Sequence, residues 1–216
     1  MDKIIIATSL LLMVLGCTTK ENKMNPFFED YQTPFQIPPF EKIEFSHYAP
    51  AFEAGMKEQL KDIEKITSNK QAPSFENTIV ELERTGKILD KVSNVFFNLL
   101  GSNTNDSMDQ LAVEISPQLS AHGDSILLNK ELFDRVEAVY QSKSDFNLNT
   151  EQNRLLDETY KRFVRSGANL NEDGMTRLTA INQTLSSLSV NFDQNVPKET
   201  NAYRSKIDNE EKHRCL

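Results

Sequence analysis

With 216 residues and 38% hydrophobic content, the chain can enclose one large or two small cores, which argues against a disordered polypeptide. Seven glycines, eight prolines and only scattered β-branched runs argue against all-β and doubly wound folds, and all-α is the class that remains. The net charge of -8, with acids and bases interspersed, offers no basic patch to neutralise phosphates, so no nucleic-acid partner is expected.

In chain order, the first signal is an apolar run over 4–15. As a helix it would reach ~18 Å against a hydrocarbon core of ~30 Å, too short to span. Lys3, the apolar middle and a small residue before a cut site predict a secretory signal peptide over 1–16, although Asp2 offsets Lys3. Val14, Leu15, Gly16 and Cys17 resemble the lipobox of bacterial lipoproteins, where the cysteine is acylated and becomes the new N-terminus. Lipid on Cys17 would anchor an exported protein to a membrane surface, facing the periplasm or the cell exterior, without a transmembrane helix. An ordinary thiol is the other reading of Cys17. Residues 17–24 then form a polar tether. If Cys17 is acylated, Cys215 has no partner for a disulfide within the chain.

Residues 25–40 combine four prolines with Phe27, Phe28, Tyr31, Phe35 and Phe40. Prolines oppose a helix and the rings oppose solvent, so an extended segment is expected, either docked across the outside of a bundle or holding a partner. A helical domain follows over 41–198. Ser46 is the expected N-cap of a helix over 47–66, with Phe52, Met56, Leu60, Ile63 and Ile66 on its buried face and Pro50 in its first turn.

The longest periodic stretch is 73–101. Ile79, Leu82, Leu89, Phe96 and Leu100 share one helical face, Ser74 caps the start and Gly101 the end, which predicts a central helix of roughly 40 Å. Val92, Val95, Phe97 and Leu99 widen the stripe, so more than one neighbour must cover it. Helical spacing resumes over 108–120 with Leu111, Ile115 and Leu119, where Pro117 is expected to kink or interrupt the helix. Asn129 is the expected cap of a short helix carrying Leu132, Phe133, Val136 and Tyr140, before a polar loop over 141–149. Thr150 is read as the cap of the next helix, with Leu155, Leu156, Tyr160, Phe163 and Val164, ended by Gly167. The last helix begins after Asn171 and carries Met175, Leu178, Ile181, Leu185, Leu188 and Phe192 until Pro197. That makes about six helices in a bundle. Residues 199–216 have few apolar anchors and are expected to form a frayed tail.

Chemistry is sparse. None of His47, His122 and His213 belongs to a His-Glu-x-x-His pair, the spacing that puts two imidazoles and a carboxylate on one helix face. His47 is expected in a first helical turn and His122 near a helix end, where a cation is welcome. His213 and Cys215 supply two soft ligands where zinc needs three or four. No nucleophile elbow, phosphate loop or dinucleotide fingerprint occurs. Residues 105–107 and 182–184 are glycosylation sequons by form only. No catalytic residue and no metal ligand is therefore assigned.

Several motifs are nevertheless specific in order. Ile37-Pro38-Pro39-Phe40, His47-Tyr48-Ala49-Pro50-Ala51-Phe52, Ser74-Phe75-Glu76-Asn77-Thr78, Leu119-Ser120-Ala121-His122-Gly123-Asp124 and the run 162–170 resemble the N-terminal part of the thimet-oligopeptidase family of zinc peptidases. The resemblance covers about 25–211 and points to the bacterial peptidyl-dipeptidase and oligopeptidase A members. It implies a larger, almost wholly helical, two-lobed peptidase around a deep channel that admits short peptides. It also implies zinc held by a His-Glu-x-x-His helix and a downstream Glu in the later half, which this sequence lacks. The matching helices would then form a wall of the channel and be inactive alone, their partner being the C-terminal catalytic half. A truncated reading frame or a short homologue would each produce such a chain. A stand-alone helical lipoprotein that binds a partner is the second class of function.

Overall fold

The computed structural model describes residues 25–204, and among them every regular element is helical. Six long helices run α1 (Tyr48–Thr67), α3 (Lys87–Ser102), α4 (Asp106–Leu127), α5 (Lys130–Gln141), α6 (Thr150–Arg165) and α7 (Glu172–Ala202). A π-helical segment, Phe75–Val80, leads into the short α2 (Glu81–Glu83). The all-α bundle class is therefore the one observed.

The predicted central helix over 73–101 is not continuous. Thr85 and Gly86 break it, with Gly86 at φ 77° in the left-handed region. A Cβ at Gly86 would lie 2.5 Å from the Gln59 amide nitrogen, so α1 also occupies the space a larger residue would need. The break lets the two halves of the stripe face different neighbours. Ile79 and Leu82 join one core, while Val92, Val95 and Phe96 join another.

Those two cores share the long helices α1 and α4. The first gathers Phe27, Phe52, Val92, Phe96, Leu111 and Ile115, with Phe96 edge-on to Tyr48 and Phe52 at 5.1 and 5.4 Å between ring centres. The second gathers Ile63, Ile66, Ile79, Leu132, Phe133, Leu156 and Phe163. Helix α1 crosses α3 so closely that a Cβ on Gly55 would meet the Leu89 backbone nitrogen at 2.7 Å. Leu60, expected inside, is exposed.

Asparagine starts four of the helices. Asn105, Asn129, Asn149 and Asn171 each accept a first-turn N–H on the side-chain oxygen, satisfying donors that the helix itself cannot. Thus Asn149 rather than Thr150 caps α6: its Oδ1 accepts the Gln152 backbone N–H at 2.9 Å, and Gln152 Oε1 accepts the Asn149 backbone N–H at 3.0 Å. Ser46 caps nothing. Instead Phe45–His47 is a 3-10 turn capped by Glu44, and the His47 Nδ1 accepts the Glu44 N–H at 2.9 Å.

Neither Pro117 nor Pro197 ends its helix. A helical proline orphans the carbonyl four residues earlier. Val113 and Asp193, which carry those carbonyls, are exposed residues, and a carbonyl open to solvent loses little when its helical donor is removed. Helix α7 consequently runs on to Ala202, past the point where a frayed tail was expected, and 205–216 lie outside the described residues.

The segment 25–40 contains two 3-10 turns, Pro26–Phe28 and Pro34–Gln36, joined by extended backbone. Phe27 alone among its aromatics is fully enclosed; Tyr31 is half-buried, and Phe28, Phe35 and Phe40 are exposed.

Candidate functional site

The residues that carried the family resemblance turn out to be packing and locking devices. Asn77 is the centre of one: its Oδ1 accepts from the Ser74 N–H, the Thr78 hydroxyl and Arg135 Nη2, while its Nδ2 donates to the Ala72 carbonyl. Arg135 is buried without a carboxylate partner. Its Nη1 donates to the Asn69 and Gln71 carbonyls at 3.0 and 3.3 Å, so it ties the loop after α1 to the start of the π-helical segment. Burial lowers its pKa, yet a guanidinium stays charged in proteins, and these oxygens are what stabilise it there.

His122 is the second lock. It lies inside α4, where a cation was expected, but burial lowers its pKa and favours the neutral ring. Its Nε2 donates to Gln59 Oε1 at 2.7 Å, and the Gln59 amide donates to the Thr85 hydroxyl at 3.2 Å, so α4, α1 and the chain break at Gly86 form one hydrogen-bonded line. Two residues on, Asp124 Oδ1 accepts from Asn182 of α7 at 2.8 Å. Asn182 and Asn105, the two sequon asparagines, are thus both engaged structurally.

These residues do not fit a catalytic metal. His47 and His122 are buried on separate elements, each with a ring nitrogen already bonded, and among the described residues no three His, Cys, Asp or Glu side chains converge to hold an ion. Cys17, His213 and Cys215 lie outside the described residues, as does the apolar run over 4–15. Among the described residues no helix is long and apolar enough to cross a membrane.

What remains as a candidate is a surface. Helix α7 packs along α4, yet it contributes no fully buried residue. Asn182 reaches Asp124, Gln194 Nε2 donates to the Asp109 carbonyl at 2.7 Å, and Val190 rests against the first core. On its other side Ile181, Leu185, Leu188 and Phe192 are 51, 59, 61 and 68% exposed. Their spacing places them on one stripe. The apolar stripe expected of the last helix is therefore divided: Met175 and Leu178, near its start, are half-buried, and the part from Ile181 to Phe192 is uncovered. A shallow cleft of about 540 Å³ beside it is lined by Phe97, Leu119 and Leu185 with Ser116, Ser186 and Ser189, which extends the apolar surface toward α3 and α4. Sequence periodicity located this stripe but could not tell it from a core-facing one.

No protein-family model matches the chain. Among curated proteins, dipeptidyl carboxypeptidase of Salmonella typhimurium is 38% identical over 170 residues, covering 79% of this chain and 25% of that protein. The Escherichia coli dipeptidyl carboxypeptidase is 37% identical over 171 residues, with the same coverage. Oligopeptidase A of Escherichia coli is 22% identical over 178 residues, covering 82% of this chain and 26% of that protein. The chain thus spans about a quarter of the length of the curated relatives it matches. Identity of this level over most of the chain, together with the ordered motifs and the helical fold, makes the chain a homologue of the thimet-oligopeptidase family, matching an N-terminal portion of its peptidases.

Proposed function

We propose that this chain is the N-terminal helical scaffold of an exported, lipid-anchored, zinc-dependent oligopeptidase of the dipeptidyl-carboxypeptidase kind. In this reading it forms a wall of the channel that admits short peptides and excludes folded proteins. The observation that carries the reading is the uncovered stripe of α7, Ile181, Leu185, Leu188 and Phe192. A monomer seldom leaves a contiguous apolar stripe in water unless another surface covers it. Relatives four times the length of the matched stretch have the polypeptide to do so.

The zinc and the general base then come from polypeptide that carries a His-Glu-x-x-His helix, since none occurs in these 216 residues. Here the chain's own residues do three things: the two cores hold α4 rigid, Asp124 and Asp109 seat α7 on it, and α7 presents its stripe outward.

The test is reconstitution. The purified chain is mixed with the portion of a dipeptidyl carboxypeptidase that lies outside the matched stretch. A 1:1 complex, loss of dye binding at α7 and chelator-sensitive release of dipeptides only in the mixture are expected. Zinc-dependent cleavage by the chain alone, or a stripe still dye-accessible in a stable complex, overturns the reading. Anchoring is tested separately, by Cys17→Ser and membrane fractionation of expressing cells; a variant that stays in the membrane fraction removes the lipid from the proposal.

A further inference from the structure

We propose that the tip of the N-terminal segment, around Phe35, is a bilayer-contacting surface that inserts into the interfacial region of a zwitterionic membrane and sets how the domain stands on it. This rests on the Cys17 anchor of the preceding reading. Phe35 and Gln36 take successive φ values of 57° and 56°, a conformation rare for L residues, and the loop is closed by the Thr33 hydroxyl donating to the Ile37 carbonyl. The outcome is a phenylalanine 97% exposed at a tip, with Ile37, Phe28, Phe40 and Phe45 each about half exposed nearby in sequence. Folding alone does not reward that arrangement. An apolar solvent does.

Chain length chooses the occupant. Seven residues, 18–24, separate Cys17 from Asn25, so eight Cα–Cα steps give at most about 29 Å of fully extended backbone. Asn25 is itself fixed, its Nδ2 donating to the His47 carbonyl at 2.8 Å, so the tether leaves the domain from the side of this segment. Lipid on Cys17 would hold Asn25, where the segment that carries the exposed rings begins, within that reach of the headgroups. At such an effective concentration a few partly inserted rings suffice to orient the domain. Charge narrows the surface further. Glu29, Asp30 and Glu41 outnumber Lys42 and Lys91, the latter pairing with Asp30 at 3.3 Å, so the surface keeps a net acidic charge and a neutral headgroup layer suits it better than an anionic one.

The test uses the chain from residue 17 onward, which keeps every described residue, in a Cys215→Ser background. Coupling Cys17 to a maleimide-headgroup lipid in phosphatidylcholine vesicles supplies the tether whether or not cells acylate this cysteine, so failure of the lipoprotein reading and failure of this one are distinguishable. An environment-sensitive fluorophore is carried at position 35 or, as a control, at exposed Lys130, by an unnatural amino acid. Position 35 is expected to blue-shift and to be quenched at least about threefold more by lipid-borne quenchers than position 130, with the difference reduced by phosphatidylglycerol. Without the tether, Phe35→Ser with Phe40→Ser should lower partitioning onto phosphatidylcholine about tenfold or more, the loss expected for two rings. Equal quenching at the two positions overturns the proposal. So does a blue shift at position 35 in the absence of vesicles, which marks a second copy as the occupant.

Discussion

Helices α4 and α7 lie side by side and carry the same kind of apolar period, yet they meet opposite fates. Helix α4 buries Met108, Leu111, Ala112, Ile115, Ser116, His122 and Ile126, and stands between the two cores. Among its described side chains helix α7 buries none completely; it lies along α4 through a half-buried face that includes Met175, Leu178, Ser186 and Val190, with two side-chain hydrogen bonds to α4. The comparison teaches that a stripe reports an apolar face, while what covers that face is decided by the rest of the fold. An uncovered stripe is then evidence about an interface rather than about stability.

The sharpest break of that contrast is Phe96→Ala against Phe192→Ala. Phe96 is fully enclosed among Tyr48 and Phe52, so its truncation should cost about 3–5 kcal/mol in urea unfolding. Phe192 is mostly in water, and its truncation should stay within about 0.5 kcal/mol. Equal losses would mean that α7 is covered in the isolated chain.

Arg135→Met comes next. It removes the cation but strands the Asn69 and Gln71 carbonyls and one lone pair of Asn77, so a loss of about 2–3 kcal/mol is expected, with faster proteolysis in the 68–72 loop. A neutral result would show that water reaches these oxygens.

His122 supplies a pH test. Burial holds its folded pKa below the ordinary value, so the unfolded state binds the proton more readily. Its contribution is complete above the unfolded pKa of about 6.5 and is lost as pH falls from there toward the lower folded value. Stability of the wild type should therefore decline below that point, and His122→Gln should flatten that part of the profile. An unchanged profile in the variant would place the titration elsewhere.

The smallest expected change is in stability on the α7 stripe itself. Leu185→Lys with Leu188→Glu should leave the unfolding midpoint within about 0.5 kcal/mol while reducing apolar dye binding severalfold. Loss of folding in this pair would contradict the open face.

Much of the fold was legible along the chain because its signals are short-range. Asn129 and Asn171 cap where a side-chain oxygen followed by an apolar period said they would, and Phe163, Leu156 and Val136 fall inside as their spacing required. Errors arose where distance in sequence mattered. Gly86 breaks the long periodic stretch because Gln59, 27 positions earlier, fills the space beside it. Pro117 and Pro197 predict interruptions when only the lost hydrogen bond is counted; the helices continue through both, and the residues whose carbonyls lose a donor, Val113 and Asp193, are exposed to solvent. The hydrogen-bonded line His122–Gln59–Thr85 had no sequence signal at all, since it joins three elements through single contacts.

The all-α class and most helix starts are written locally, because caps, turns and 3.6-residue periods are set by neighbours a few residues apart, and the ordered motifs carry the family resemblance. Long-range packing alone divides the central stripe between two cores, buries the His122 side chain against Gln59 and leaves Leu185 and Leu188 of α7 facing outward. Burial is a property of what lies across the gap, and that is settled by the packing of distant segments rather than by any local run of residues.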